Sequence, residues 1–142
     1  MFMANGLPFS ILVVDDDVDD RMFIDEAFKE IGYEAEVKKF INGKALFSYL
    51  EAIEPELYPS LIVLDNTLPA LNASDILSLL KANSSDEHIP VVIYSSLLTT
   101  SKNEELLTMG AYACIEKGSS MTEIVQVAKE LKSLAEAKLK DS

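Results

Sequence analysis

The chain has 142 residues, 12 Lys and Arg against 24 Asp and Glu, one His and one Cys, and 49% apolar residues. That is enough for one domain with a real core, expected over residues 1–142 with its packed part at about 10–139. The formal charge of −12 sets it against nucleic acid and anionic membrane surfaces, and a lone Cys and a lone His exclude an internal disulfide or a zinc site. No apolar run approaches the roughly 20 residues of a membrane span. Met1 to Gly6 has no basic residue ahead of an apolar stretch, as a secretory signal would. A reducing, cytoplasmic setting is therefore expected.

Ile11-Leu12-Val13-Val14 is short, apolar without alternation and rich in β-branched residues. Such a run predicts a strand buried on both faces. Asp19 to Ile31 then predicts a helix that buries Phe23, Ala27, Phe28 and Ile31 and stops at Gly32. A weaker strand follows at Ala35 to Ile41, and a helix over Gly43 to Ile53 carries Leu46, Phe47 and Leu50 on one face. Leu61 to Leu64 is the second strong strand, followed by a helix over Ala73 to Asn83 with Ile76, Leu77 and Leu80. Val91 to Tyr94 is the third, followed by a short helix over Lys102 to Met109 ending at Gly110. A weaker strand at Tyr112 to Glu116 leads into a long helix from Met121 to Leu139. That helix has Ile124, Val125, Ala128, Leu131 and Leu134 at helical spacing. Strand and helix alternating five times imply crossover connections and an α/β fold, a doubly wound parallel sheet with helices on both faces. There is no internal linker or repeat, and nothing after Leu139 is long enough for a second domain.

In such sheets ligands bind beyond the carboxyl ends of the strands. Asp15, Asp16 and Asp17 follow the first strong run, Asp65 the second, Ser95 and Ser96 the third, and Lys117 the last strand. Three carboxylates brought together repel one another unless a cation sits between them. All-oxygen ligation of that kind suits Mg²⁺. A lysine and a hydroxyl beside the metal offer a positive charge and a donor, which is what a phosphoryl group needs.

With Asp15, Asp16, Asp65, Ser95 and Lys117 in this order, each at a strand end, the chain resembles the receiver domain of bacterial two-component response regulators, the CheY-like group. Leu68-Pro69 after Asp65 and Gly110-Ala111 before the last strand also match. The resemblance implies a five-stranded sheet of order 2-1-3-4-5 flanked by five helices. It implies that Asp65 is the phospho-acceptor, served by a sensor histidine kinase or a histidine phosphotransfer protein. Asp16 and Asp65 would then bind Mg²⁺ directly, Asp15 mainly through water, and the backbone carbonyl of Thr67 would be a further ligand. Lys117 would pair with one phosphoryl oxygen and Ser95 would hydrogen-bond another. Thr67 and Leu97 would flank the attacking water, and Leu97 cannot orient one, which implies slow self-dephosphorylation.

Other readings of single features are weaker. Asp19 and Asp20 suit a helix start, where acids favour the dipole. Asp15, Asp17, Asp19 and Glu26 have the spacing of a calcium loop, but Asp20 stands where that loop needs glycine and a strand precedes the run. Asp65-Asn66-Thr67 lacks the second acid of an aspartyl phosphohydrolase. His88 reads as a loop residue, and the two Asn-x-Ser patterns, at Asn72 and Asn83, mean nothing without a secretory signal.

The chain departs from the family pattern in four places. Gly118 replaces the usual proline after the lysine and permits the turn without enforcing it, so Lys117 is expected to be less tightly held. Ser96 replaces a common alanine. The loop from Leu68 to Ala73 lacks its usual glycine. Cys114 replaces the switch aromatic that follows the strand-four hydroxyl inward. With Cys114 there, the switch is expected in the 97–101 loop, the short helix after it, or Tyr94 or Tyr112.

The resemblance thus implies a single-domain signalling receiver rather than an enzyme, with no output domain, no nucleic acid and no membrane among its partners. It would act on an unknown protein target, or relay phosphate onward, and the 102–139 face would be its output and homodimer face. The rival reading is a phosphorylation-independent receiver-like interaction module. The Asp15 to Asp20 run is also similar to the start of stand-alone receivers partnered with bacterial phytochromes.

Overall fold

The computed structural model describes residues 10–33, 36–54, 57–68, 70–96 and 99–140, with side chains up to residue 137. The elements in chain order are β1 (Ile11–Val14), α1 (Val18–Glu30), β2 (Val37–Phe40), α2 (Gly43–Ala52) and β3 (Leu61–Asp65). After them come α3 (Ala73–Ala82), β4 (Val91–Ser95), α4 (Thr100–Thr108), β5 (Ala113–Glu116) and α5 (Met121–Lys140). The strands form one parallel sheet of order β2-β1-β3-β4-β5.

The side-chain period of two splits each apolar strand between two cores. Ile11, Val13, Leu61, Val63, Val92 and Tyr94 face α1 and α5, packing on Ile24, Phe28, Ala128 and Leu131. Leu12, Val14, Ile62, Leu64, Val91 and Ile93 face the other way, onto Leu46, Leu50, Ile76, Leu77, Leu80 and Leu106 of α2, α3 and α4. Apolar residues on both faces explain why the strong runs do not alternate in sequence. The edge strand β2 is half-buried and reads Val-Lys-Lys-Phe, which is why its signal is weak. Among the described residues no helix is long and apolar enough to cross a membrane.

The boundaries differ from the sequence expectation where caps decide them. Asp17 caps α1, its carboxylate accepting the N–H groups of Asp19 and Asp20, so the helix starts at Val18. Thr99 caps α4, which begins at Thr100 rather than Lys102. The face expected of α1 is corrected: Phe23 is 46% exposed, whereas Ile24 is 1% exposed and fills the core. Ile24, Ala27 and Phe28 follow the i, i+3, i+4 rule, and Phe23 sits one residue off that stripe. Ala35, at the start of the expected second strand, lies outside the described residues, and β2 begins at Val37. Among the described residues Gly32, Ala70 and Gly110 take left-handed backbone. Gly110, with φ +111°, carries the chain from α4 toward β5, and a side chain there would be strained whatever the space. Ala70, after β3, takes φ +62° in the loop where the family's glycine is missing.

Candidate functional site

β3 and β4 each run one residue beyond their apolar runs, so Asp65 and Ser95 are strand residues held inside the sheet edge, 4% and 1% exposed. Asp15 directly follows β1 and is also buried, while Asp16 beside it is exposed. The turn after β1 is tied by its own polar groups. Asp15 Oδ1 accepts the Asp17 N–H at 3.0 Å, and the guanidinium of Arg21 donates to the Asp15 carbonyl at 2.6 Å. One carboxylate oxygen from each of Asp15, Asp16 and Asp65 lies within 4.8 Å of the others. That donor set, all oxygen and all anionic, fits a small hard divalent cation.

Lys117 enters from the end of β5. Its backbone N–H is bonded to the Ser95 carbonyl at 2.9 Å, which continues the β4–β5 ladder one residue past the strand. Its ammonium donates to Asp15 Oδ2 at 2.8 Å and Asp20 Oδ2 at 2.7 Å, and stands 3.5 Å from Asp65 Oδ2. The Tyr94 ring lies beneath it, 5.6 Å from Nζ to the centroid. Burial by itself would lower the lysine, but the hydrogen bonds to Asp15 and Asp20 and the charges of Asp15 and Asp65 hold it above its ordinary value. Burial pushes Asp15 up from the usual carboxylate range, against the pull of Lys117 and the Asp17 amide.

The expectation that Gly118 leaves Lys117 loose is corrected by these contacts: the lysine is held from three sides. Gly118 serves close packing. A Cβ there would lie 2.7 Å from Glu123 Cβ and 2.9 Å from the Ile124 amide nitrogen at the start of α5. Gly118 also keeps a backbone N–H near the Tyr94 hydroxyl, which a proline would lack.

Thr67 follows Asp65 on the exposed turn, and its backbone N–H and hydroxyl each reach Asp65 Oδ1 at 3.3 Å. Leu97, expected beside the attacking water, lies outside the described residues, as do Leu98 and Pro69. His88 is exposed next to Glu87, in the loop that leads into β4. Cys114 is half-buried on the α2–α4 side of the sheet, and burial raises its thiol above the ordinary value. Tyr94 packs on the opposite side, so its ring cannot stand in for an aromatic at position 114.

Asp20 and Arg21 are contacts that the sequence reading did not place at the site, and Tyr94, named there as a switch candidate, lies beneath Lys117. Asp20 suits a helix start equally well, and only the tertiary arrangement of α1 against β5 turns it toward Lys117. A cavity of about 510 Å³ adjoins this pair, lined by Asp20, Ser96, Lys117, Gly118, Ser119 and Glu123.

The model of the response regulator receiver domain matches residues 11–129. The chain is 33% identical over 100 residues to the "Probable methanogenesis regulatory protein FilR2" of Methanothrix harundinacea, an alignment covering 69% of this chain and 62% of that protein. It is 29% identical over 133 residues to the DNA-binding transcriptional regulator NtrC of Rhizobium meliloti, covering 94% of this chain and 25% of that one. The chain thus spans less than two thirds of the length of these curated relatives. The crystal structure of the phosphorylated cyanobacterial phytochrome response regulator RcpA superposes with a TM-score of 0.78. The two share 23% identity, with 89% of this chain and 92% of that one covered. At that identity the likeness establishes the fold.

Proposed function

The chain belongs to the response regulator receiver family, whose members are signalling domains of two-component systems, and we propose that here Asp65 takes a phosphoryl group from a histidine. The observation that carries this is the setting of Asp65. It is a buried carboxylate at a strand end, 3.5 Å from the Lys117 ammonium and grouped with Asp15 and Asp16. In the transfer, the phosphorus–nitrogen bond of a phosphohistidine breaks and the imidazole keeps the electron pair. An Asp65 oxygen forms the new phosphorus–oxygen bond, giving an acyl phosphate. Lys117 is near enough to pair with one phosphoryl oxygen, and Ser95, at the end of the neighbouring strand, would donate to another.

The acids suit Mg²⁺, which when bound would offset charge on the oxygens of the transferring group. Asp16 and Asp65 would ligate it directly, with the Thr67 backbone carbonyl as a further ligand. Both Asp15 oxygens already accept, one from the Asp17 N–H and one from Lys117, which supports a role for Asp15 through water.

The donor is a sensor histidine kinase or a histidine phosphotransfer protein, and the receiver acts in the cytoplasm through contact with a protein target or a further relay step. The 102–139 face, with Leu107 and Tyr112 exposed, is the proposed output and homodimer surface. A second reading, an interaction module indifferent to phosphorylation, is favoured by one observation alone: Cys114 stands where the family has its switch ring. The test is incubation of the full chain with acetyl phosphate and Mg²⁺, followed by intact-mass measurement. A gain of one phosphoryl group, lost in Asp65→Asn, is expected. No gain, or a gain that survives Asp65→Asn, would overturn the proposal.

A further inference from the structure

We propose that Asp20 is a positioning residue that holds Lys117 in the unphosphorylated protein and must release it when Asp65 is phosphorylated. The inference rests on the phospho-acceptor reading above. An ammonium has three N–H donors. Lys117 commits two of them at full hydrogen-bond length, to Asp15 and Asp20, and keeps only a longer ion-pair contact with Asp65. The remaining N–H can take a phosphoryl oxygen on Asp65, but reaching it draws the ammonium toward Asp65 and lengthens its bond to Asp15 or Asp20.

The two partners differ in how easily they let go. The Asp15 side chain is 3% exposed and would be left charged in a buried place, whereas that of Asp20 is 35% exposed and can turn to water. The cavity lined by Asp20, Lys117 and Ser96 gives the lysine room to swing toward the end of β4. Asp20 is also fixed at its base, its N–H donating to the Asp17 carboxylate at the start of α1. It therefore ties the first turn of α1 to the end of β5 in one state only. The Lys117–Asp20 pair stabilises the unphosphorylated protein alone, so removing it favours the phosphorylated one.

The experiment compares wild type, Asp20→Asn and Asp19→Asn in the full chain with Mg²⁺. Asp19→Asn removes the same charge one residue away from an exposed position with no contact to Lys117. Two readouts are taken: the rate of phosphoryl uptake from acetyl phosphate, and the NMR signals of the Lys117 side-chain ammonium before and after uptake. A half-exposed ion pair is worth little, so Asp20→Asn should speed uptake about two- to fivefold, and Asp19→Asn should leave it near wild type. The ammonium signals of unmodified Asp20→Asn should already be displaced toward those of the phosphorylated wild type, an effect that general loss of helix stability would not produce. Equal uptake rates in wild type and Asp20→Asn, or equal effects of the two variants, would overturn the role of Asp20 alone. No uptake in any of the three would overturn the phospho-acceptor reading and this inference with it. Uptake in Asp20→Asn only would support the inference in its strongest form.

Discussion

Along one edge of the sheet, β1 and β3 lead into carboxylates, while β4 ends in a hydroxyl and β5 leads into a single lysine. The first half stores repulsion: Asp15 and Asp65 are buried side by side with Asp16 at their rim. The second half relieves it, because Lys117 reaches back across the edge to Asp15 and Asp65. On the face toward α4, however, β5 carries Cys114, a small half-buried side chain, where the family has its switch ring, and burial raises its thiol above the ordinary value. The residues proposed to bind a cation and a phosphoryl group are therefore all present and interlocked, whereas Cys114 offers no large side chain to move in response. Chemistry and readout are separable even where they share a sheet edge.

Breaking the link between the halves should have the largest effect. Lys117→Met leaves Asp15 buried without its cation, which costs about 3 kcal/mol, limited by protonation of the already raised Asp15. Thermal unfolding without metal should show the loss, and added Mg²⁺ should recover more stability in this variant than in wild type. Next comes the acid half alone. Asp16→Ala should weaken Mg²⁺ binding by more than about tenfold and block phosphoryl uptake. The same change should raise the melting temperature of the metal-free protein, since it relieves crowding among like charges. Calorimetric titration with unchanged affinity would remove Asp16 from the site.

Between the halves runs the loop after β3, where Ala70 holds φ +62°. Ala70→Gly should stabilise the protein by about 0.5–1 kcal/mol in denaturant unfolding, because glycine adopts that backbone without a Cβ penalty. A loss of stability would show that the loop's conformation has been misjudged. The smallest effect is expected in the readout half. Cys114→Tyr should leave uptake at Asp65 intact and alter phosphate-dependent dimerisation or partner binding only modestly. If wild type shows no phosphate-dependent change and Cys114→Tyr creates a large one, the natural protein lacks a working switch.

Much of this was legible because it depends on local pattern. The runs at Ile11, Leu61 and Val91 could hardly be anything but buried parallel strands, and once they are placed, every residue that follows them falls on one edge. What stayed hidden depends on rotation and distance. Phe23 and Ile24 are equally apolar neighbours, and it is the packing of Ile24 with Ala27 and Phe28 in the core that sets which of them turns inward. Asp20 is a good first-turn acid on any helix, so its bond to a lysine 97 residues away left no trace in spacing. Gly118 looked like a loosened proline because sequence does not show the start of α5 pressed against it.

The central claim is that Asp65 is the acceptor of the joined halves. Its most direct test is to locate the phosphoryl group by peptide-resolved mass spectrometry after exposure to acetyl phosphate, with Mg²⁺ and with a chelator. The modification is expected on Asp65 alone and only with Mg²⁺. A phosphoryl group found on another residue, or uptake that ignores the chelator, would contradict it.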